Sequence, residues 1–148
     1  MNEIVELKVP AKIEYLRLVR AIVGSVAASD PEMNSDRVAD LRIIVSEAVT
    51  NAIRAQEKIG VADRVTIRCN LKENFVQVEV ADNGPGFDPE QVVDLPDVES
   101  FERLHHESGL GLFLIRELAD ETTISSGPGG TAVRLTVRYG DQESLSNR

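Results

Sequence analysis

Near the start of the chain, Val5, Leu7 and Val9 alternate with Glu6 and Lys8. A period of two is the mark of a strand with one buried face. The spacing then changes. Ile13, Leu16, Val19/Arg20, Val23 and Val26/Ala27 recur at helical intervals, which predicts a helix over about 12–28. Asp30-Pro31 ends it, because proline disfavours α geometry in the residue before it. A longer stripe follows in Val38, Leu41, Ile44/Val45, Ala48/Val49 and Ala52/Ile53. It predicts a helix from about Ser35 to Ile59, with Asn34 or Ser35 as N-cap and Gly60 at its end.

Period two returns in Val65, Ile67, Cys69 and Leu71, and again in Val76, Val78 and Val80. Asn74 between them suits the turn of a hairpin. Residues 87–108 show no periodicity and carry Pro89, Pro96, Asp94, Asp97 and Glu99. A connection of that length inside a compact domain is usually functional or mobile. Helical spacing resumes over about 110–119, and a strand is expected near 121–126. Gly127-Pro128-Gly129-Gly130 then turns the chain into Thr131 to Arg138, where Val133, Leu135 and Val137 alternate with polar residues. From Gly140 the chain is polar, the pattern of a frayed tail. The layout is α+β: a two-layer sandwich with helices on one face of a mixed, mainly antiparallel sheet. It divides into a domain over 1–139 and a tail over 140–148.

Composition narrows the class. A length of 148 residues fits one domain with a proper core. No apolar run approaches the length of a membrane span, and the N-terminus lacks the basic-then-apolar order of a secretory leader. A cytoplasmic location and no membrane partner are expected. Cys69 is the single cysteine, which excludes an internal disulfide and a multi-cysteine zinc site. The formal charge of −9 argues against direct nucleic-acid binding, since phosphate contacts need a basic surface.

Four short segments carry candidate chemistry. Glu47 and Asn51 are four apart on the long helix and rise from one face beside the apolar stripe. A carboxylate there can accept a proton from a hydroxyl, and the asparagine carbonyl is a hard, neutral ligand suited to Mg²⁺. On an arbitrary helix, such a pair is simply solvated. The second segment, Asp82-Asn83-Gly84-Pro85-Gly86, follows a strand directly. Its glycines permit a sharp turn close to a flat ligand, and Asp82 is an acceptor at the strand end that can take an adenine amino group. Read alone, it is equally a tight turn. It is not a calcium loop: the glycine comes too early and the spaced terminal glutamate is missing.

The third segment, Gly109-Leu110-Gly111-Leu112, opens a helix, where unencumbered N–H groups suit phosphate oxygens. It lacks the lysine of a P-loop and the third glycine of a dinucleotide fingerprint. The fourth, Gly130-Thr131, precedes the last strand and says little by itself. Other residues carry less. His105 and His106 are adjacent and would not converge on one metal, Arg103 could reach a phosphate, and Arg54 suits either a cleft mouth or a surface ion pair.

Taken in this order, the four segments resemble the GHKL ATPases with their Bergerat ATP-binding fold. Within them the chain is similar to the anti-sigma serine kinases of the RsbW and SpoIIAB type, over roughly residues 3–138. The resemblance implies Glu47 as general base and Asn51 as Mg²⁺ ligand, within Ser-Glu-Ala-Val-Thr-Asn-Ala-Ile. It implies Asp82 and Thr131 at the adenine, with Gly84 and Gly86 in the turn. Gly109, Leu110, Gly111 and Leu112 would lie at the phosphates, after an ATP lid over about 87–108. The expected function is that of a homodimeric kinase that binds Mg-ATP and sequesters an RNA polymerase sigma factor. It would also phosphorylate a serine of a STAS-domain anti-anti-sigma factor. The alternatives are a nucleotide-responsive partner-binding module without significant kinase activity, and a detached histidine-kinase catalytic domain. Arg54-Ala55-Gln56 departs from many relatives, which carry a small or histidine-containing stretch there, and this bears on detail around the phosphates.

Overall fold

The computed structural model describes residues 3–86 and 109–139. Strand β1 (Glu3–Val9) leads through a 3-10 turn (Ile13–Tyr15) into α1 (Leu16–Ala28) and then α2 (Ser35–Ile59). A hairpin of β2 (Val65–Lys72) and β3 (Phe75–Asp82) follows. Helix α3 (Gly109–Leu118), β4 (Glu121–Gly127) and β5 (Gly130–Arg138) complete the order.

The signals for α2 act as predicted. Asn34 stays extended, and its side chain accepts a hydrogen bond from the Arg37 N–H, meeting one of the donors that a helix start leaves unpaired. At the other end Gly60 adopts the left-handed conformation (φ 68°). The predicted hairpin also forms, with Asn74 at φ 72° in its two-residue turn. The start of the first helix differs. Residues 13–15 wind as a 3-10 turn and leave Ile13 exposed, so the apolar stripe takes hold only from Leu16 and Val19.

The strands form one sheet in the order β1-β2-β3-β5-β4. Every pairing among the described residues is antiparallel, where a partly parallel sheet was expected. The parallel relation does exist, between β3 and β4, which are joined through α3. Both pair antiparallel with β5, so β5 stands between them and they never touch as neighbours.

All the helical packing is on one face. Val65, Ile67 and Cys69, then Val76, Val78 and Val80, then Val133, Leu135 and Val137 point into a common core. Val19, Val23 and Ala27 of α1 and Leu41, Ile44, Val45, Val49 and Ile53 of α2 meet them there. Cys69 belongs to this core, and burial pushes its thiol up to about 11. Because α2 lies against α1, α3 and β3, it is the central strut to which the loops at one end of the sheet attach. No described helix is long and apolar enough to cross a membrane.

Candidate functional site

The end of β3, the β4–β5 turn and the C-terminal half of α2 converge at one end of the sheet. The convergence is enforced by glycine. Gly84 is buried against α2: a Cβ on it would lie 2.7 Å from Ala55 Cβ and 3.0 Å from Asp82 Oδ1. Gly86 has φ 75°, and a Cβ there would lie 2.1 Å from the Gly127 carbonyl oxygen. Gly130, at φ 133°, would place a Cβ 2.0 Å from the carbonyl oxygen of Asp82. Positive φ and backbone contact together leave no room for any other residue at these last two positions. The turn 82–86 is thus clasped between α2 on one side and the β4–β5 hairpin on the other.

Asp82 sits within that clasp, half-buried. Its Oδ1 accepts the Gly84 N–H at 2.8 Å, and the Thr131 N–H also donates to the carboxylate. Desolvation is the larger influence and raises its pKa above the ordinary 3.8, with the two N–H groups pulling the other way. Across the sheet Asp82 is paired with Thr131, which is buried. The Thr131 hydroxyl lies 2.7 Å from that of Ser126, its partner on β4. A carboxylate and a hydroxyl therefore stand opposite each other at the strand ends, the pairing the resemblance implies for the edge of a purine.

Glu47, Asn51 and Ala55 follow one another at intervals of four along α2. Each step advances about 6 Å along the axis and returns nearly to the same face. Ala55 is the point where Gly84 touches the helix. Asn51 then lies one turn, and Glu47 two turns, from the turn that carries Asp82. Both are half-buried, and among the described residues neither side chain is held in a hydrogen bond or ion pair. The donor set fits Mg-ATP: an acceptor and a hydroxyl at the strand ends, a turn held close by its glycines, and beyond them an amide oxygen and a carboxylate. Among the described residues no cluster of three or more His, Cys, Asp or Glu could hold a metal unaided.

Helix α3 begins at Gly109 and packs against α2, with Ile115 fully buried. Its first turn, Gly109 to Leu112, thus opens beside the helix that carries Glu47 and Asn51. The lid expected over 87–108, with Arg103, His105 and His106, lies outside the described residues.

The structure adds residues that the sequence reading passed over. Gln56 is fully buried, its Oε1 accepting the Asn83 N–H at 3.0 Å. Its Nε2 donates to the Asp63 carbonyl. Asn83 Nδ2 in turn donates to Asp63 Oδ2 at 3.2 Å. A signal for Gln56 was present, since it continues the buried stripe of α2 at Ala52 plus four and Ile53 plus three. A polar residue in that place calls for a buried partner. Ser126 gave no comparable signal, because its neighbour Thr131 is set only by strand register.

Residues 9–137 match the histidine kinase-like ATPase domain. The serine-protein kinase RsbW of Bacillus subtilis is 34% identical over 143 residues, covering 93% of this chain and 88% of that protein. The RsbW of Bacillus thuringiensis is also 34% identical, over 148 residues, 98% of this chain and 90% of that one. Among solved structures, the RsbU and RsbW domains of a Mycobacterium tuberculosis protein align with a TM-score of 0.68 at 23% identity. That alignment spans 93% of this chain and 32% of that longer one, and it speaks for the fold alone.

Proposed function

The chain belongs to the histidine kinase-like ATPase domain family and, within it, to the RsbW serine-protein kinases, and on that premise we propose a specific activity for it. It is a cytoplasmic protein serine kinase and anti-sigma factor. It binds Mg-ATP, sequesters an RNA polymerase sigma factor as a homodimer, and phosphorylates a serine of a STAS-domain anti-anti-sigma factor. The observation that carries the ATP reading is the line Glu47–Asn51–Ala55 on α2, docked through Gly84 onto the turn that holds Asp82.

The residues divide the work by position. Asp82 and Thr131 hold the adenine edge. Asn51 would hold Mg²⁺, whose chemistry is to neutralise charge on the phosphates and bring them in line. The Gly109 and Gly111 N–H groups, at the start of α3, face the transferring phosphoryl group. Glu47 accepts the proton of the incoming serine hydroxyl as its oxygen bonds to the γ-phosphorus, and the bond to the bridging oxygen breaks to release ADP. A positioned general base contributes typically about 10²–10⁴-fold to such a step.

The test is a transfer assay with γ-labelled Mg-ATP, a soluble extract of the source organism and a Glu47→Ala variant in parallel. The expected result is acid-stable label on a small protein, lost in the variant while ATP binding persists. Wild-type transfer by Glu47→Ala removes that residue as the base. Acid-labile label would point to phosphohistidine. Absence of label despite ATP binding would leave a nucleotide-gated binding module.

A further inference from the structure

Among the buried residues of α2, Gln56 is the polar one, with none of its side chain exposed. Its amide orientation is dictated by its surroundings. The Asn83 N–H must meet an acceptor, and the carbonyls of Asp63 and Val61 must meet a donor, so Oε1 faces the first and Nε2 the others. A methionine or leucine would fill the same space without an amide, yet would leave these part-buried backbone groups without the bonds Gln56 gives them.

What Gln56 holds is the nucleotide turn. Asn83 stands between Asp82 and Gly84, the acceptor for adenine and the glycine that rests on Ala55. The Thr131 N–H ties Asp82 to β5, and the other close approaches of this turn are stops. Ala55 limits its approach to α2, and the Gly127 and Gly130 backbone limits its approach to the hairpin. Stops define how near the turn can come but do nothing to keep it from lifting away. The hydrogen bond from Asn83 N–H to Gln56 is an attraction toward α2, and Asn83 Nδ2 to Asp63 Oδ2 adds a second tie to the loop after α2.

We propose that Gln56 is a positioning residue for ATP: it tethers the Asp82–Gly84 turn to α2 and sets the height at which Asp82 meets the purine. The segment 61–63, which none of the nucleotide motifs includes, is part of the same tether through Asp63. This inference rests on the ATP reading above and assigns no contact between Gln56 and the nucleotide itself.

The experiment uses the full chain with three variants. Gln56→Met keeps length and bulk but removes the amide. Gln56→Glu keeps shape and can restore the donor only when protonated. Val23→Ala, in the α1 core, controls for lost stability. ATP affinity is measured by calorimetry, with KM for ATP and kcat from the transfer assay and Tm for each protein.

Gln56→Met should raise Kd and KM for ATP about tenfold, the loss of a buried hydrogen bond and the order it imposes, with kcat at saturating ATP changed less than about twofold. Gln56→Glu, whose carboxyl keeps the acceptor for the Asn83 N–H in either protonation state, should bind ATP more tightly than Gln56→Met, a recovery that a general loss of packing does not produce. Val23→Ala should lower Tm without moving KM. Wild-type Kd in Gln56→Met, a Gln56→Glu affinity no better than that of Gln56→Met, or an equal KM change in Val23→Ala each overturns the proposal. A wild-type chain that binds no ATP would overturn the ATP reading itself, which separates the two failures.

Discussion

Adding one methyl group at Gly84 tests whether the nucleotide turn is held in place by contact with α2. An ideal Cβ at this position lies 2.7 Å from Ala55 Cβ and 3.1 Å from the Ala55 carbonyl carbon. Carbon atoms settle at about 3.5–4.0 Å, so turn and helix must separate by about 1 Å. The second contact is with backbone, which has no rotamer to yield. The same methyl would stand 3.0 Å from Asp82 Oδ1, the atom that accepts the Gly84 N–H at 2.8 Å. Relieving that contact pushes Oδ1 away by a few tenths of an ångström and loosens the bond it accepts.

Two magnitudes follow for Gly84→Ala. Overpacking should cost about 1–3 kcal/mol of stability, which leaves the domain folded. Misplacing Asp82 by about 1 Å should weaken ATP binding about 100-fold, because orientation at a site is lost over such distances. Calorimetric titration with Mg-ATP, alongside a thermal melt, reads both. Ala55→Gly gives the internal check. Alone it should cost about 1 kcal/mol of helix stability; combined with Gly84→Ala it removes the 2.7 Å contact but not the 3.1 Å one, so it should recover about tenfold in affinity. An affinity for Gly84→Ala within about twofold of wild type would refute the reasoning, as would a double variant no better than the single.

The other predictions concern charge and metal. Asn51→Ala should weaken nucleotide binding in the presence of Mg²⁺ and leave Mg-free binding nearly unchanged; equal losses under both conditions would remove Asn51 as the ligand. Burial raises the pKa of Asp82 above 3.8, so its charge as an acceptor is complete only above that raised value and is lost as pH falls through it. ATP affinity should decline over the same window. The linkage to folding runs the other way: a raised carboxyl stabilises the fold fully below 3.8 and loses that contribution as pH rises through the folded value. Affinity should therefore fall on acidification while the same protonation favours the fold, and Asp82→Asn should flatten the affinity profile. A profile unchanged in that variant would assign the titration elsewhere.

Much of the architecture was readable because local chemistry determined it. The bounds of α2 follow from Asn34 and Gly60, and the hairpin from two period-two runs about Asn74. The site residues could be named for similar reasons, since glycines after a strand and a Glu–Asn pair on a helix are local patterns. What escaped was relational. Nothing near Gly86 indicates that it presses on Gly127, 41 positions later, nor near Gly130 that it meets Asp82. The antiparallel character of the whole sheet depends on β5 entering between β3 and β4, a matter of strand order rather than pattern. Ile13 fitted a helical stripe yet is exposed, since the 3-10 turn there does not follow the period on which the stripe was counted. Gln56 was legible in position but not in purpose, because its partners lie across a loop and a strand.

The place of β5 also has a consequence for how the protein is made. It is the last of the described strands yet stands inside the sheet, with β3 on one side and β4 on the other. During synthesis, β4 therefore emerges with no strand to join, and Asp82 waits without Thr131 opposite it. The end of β3 gains its β5 neighbour only when residues 130–138 have been delivered and zipped in. A nascent chain halted before Gly130 can make the β1–β2–β3 half of the sheet but leaves Asp82 without Thr131, so ATP affinity should first appear once β5 has joined.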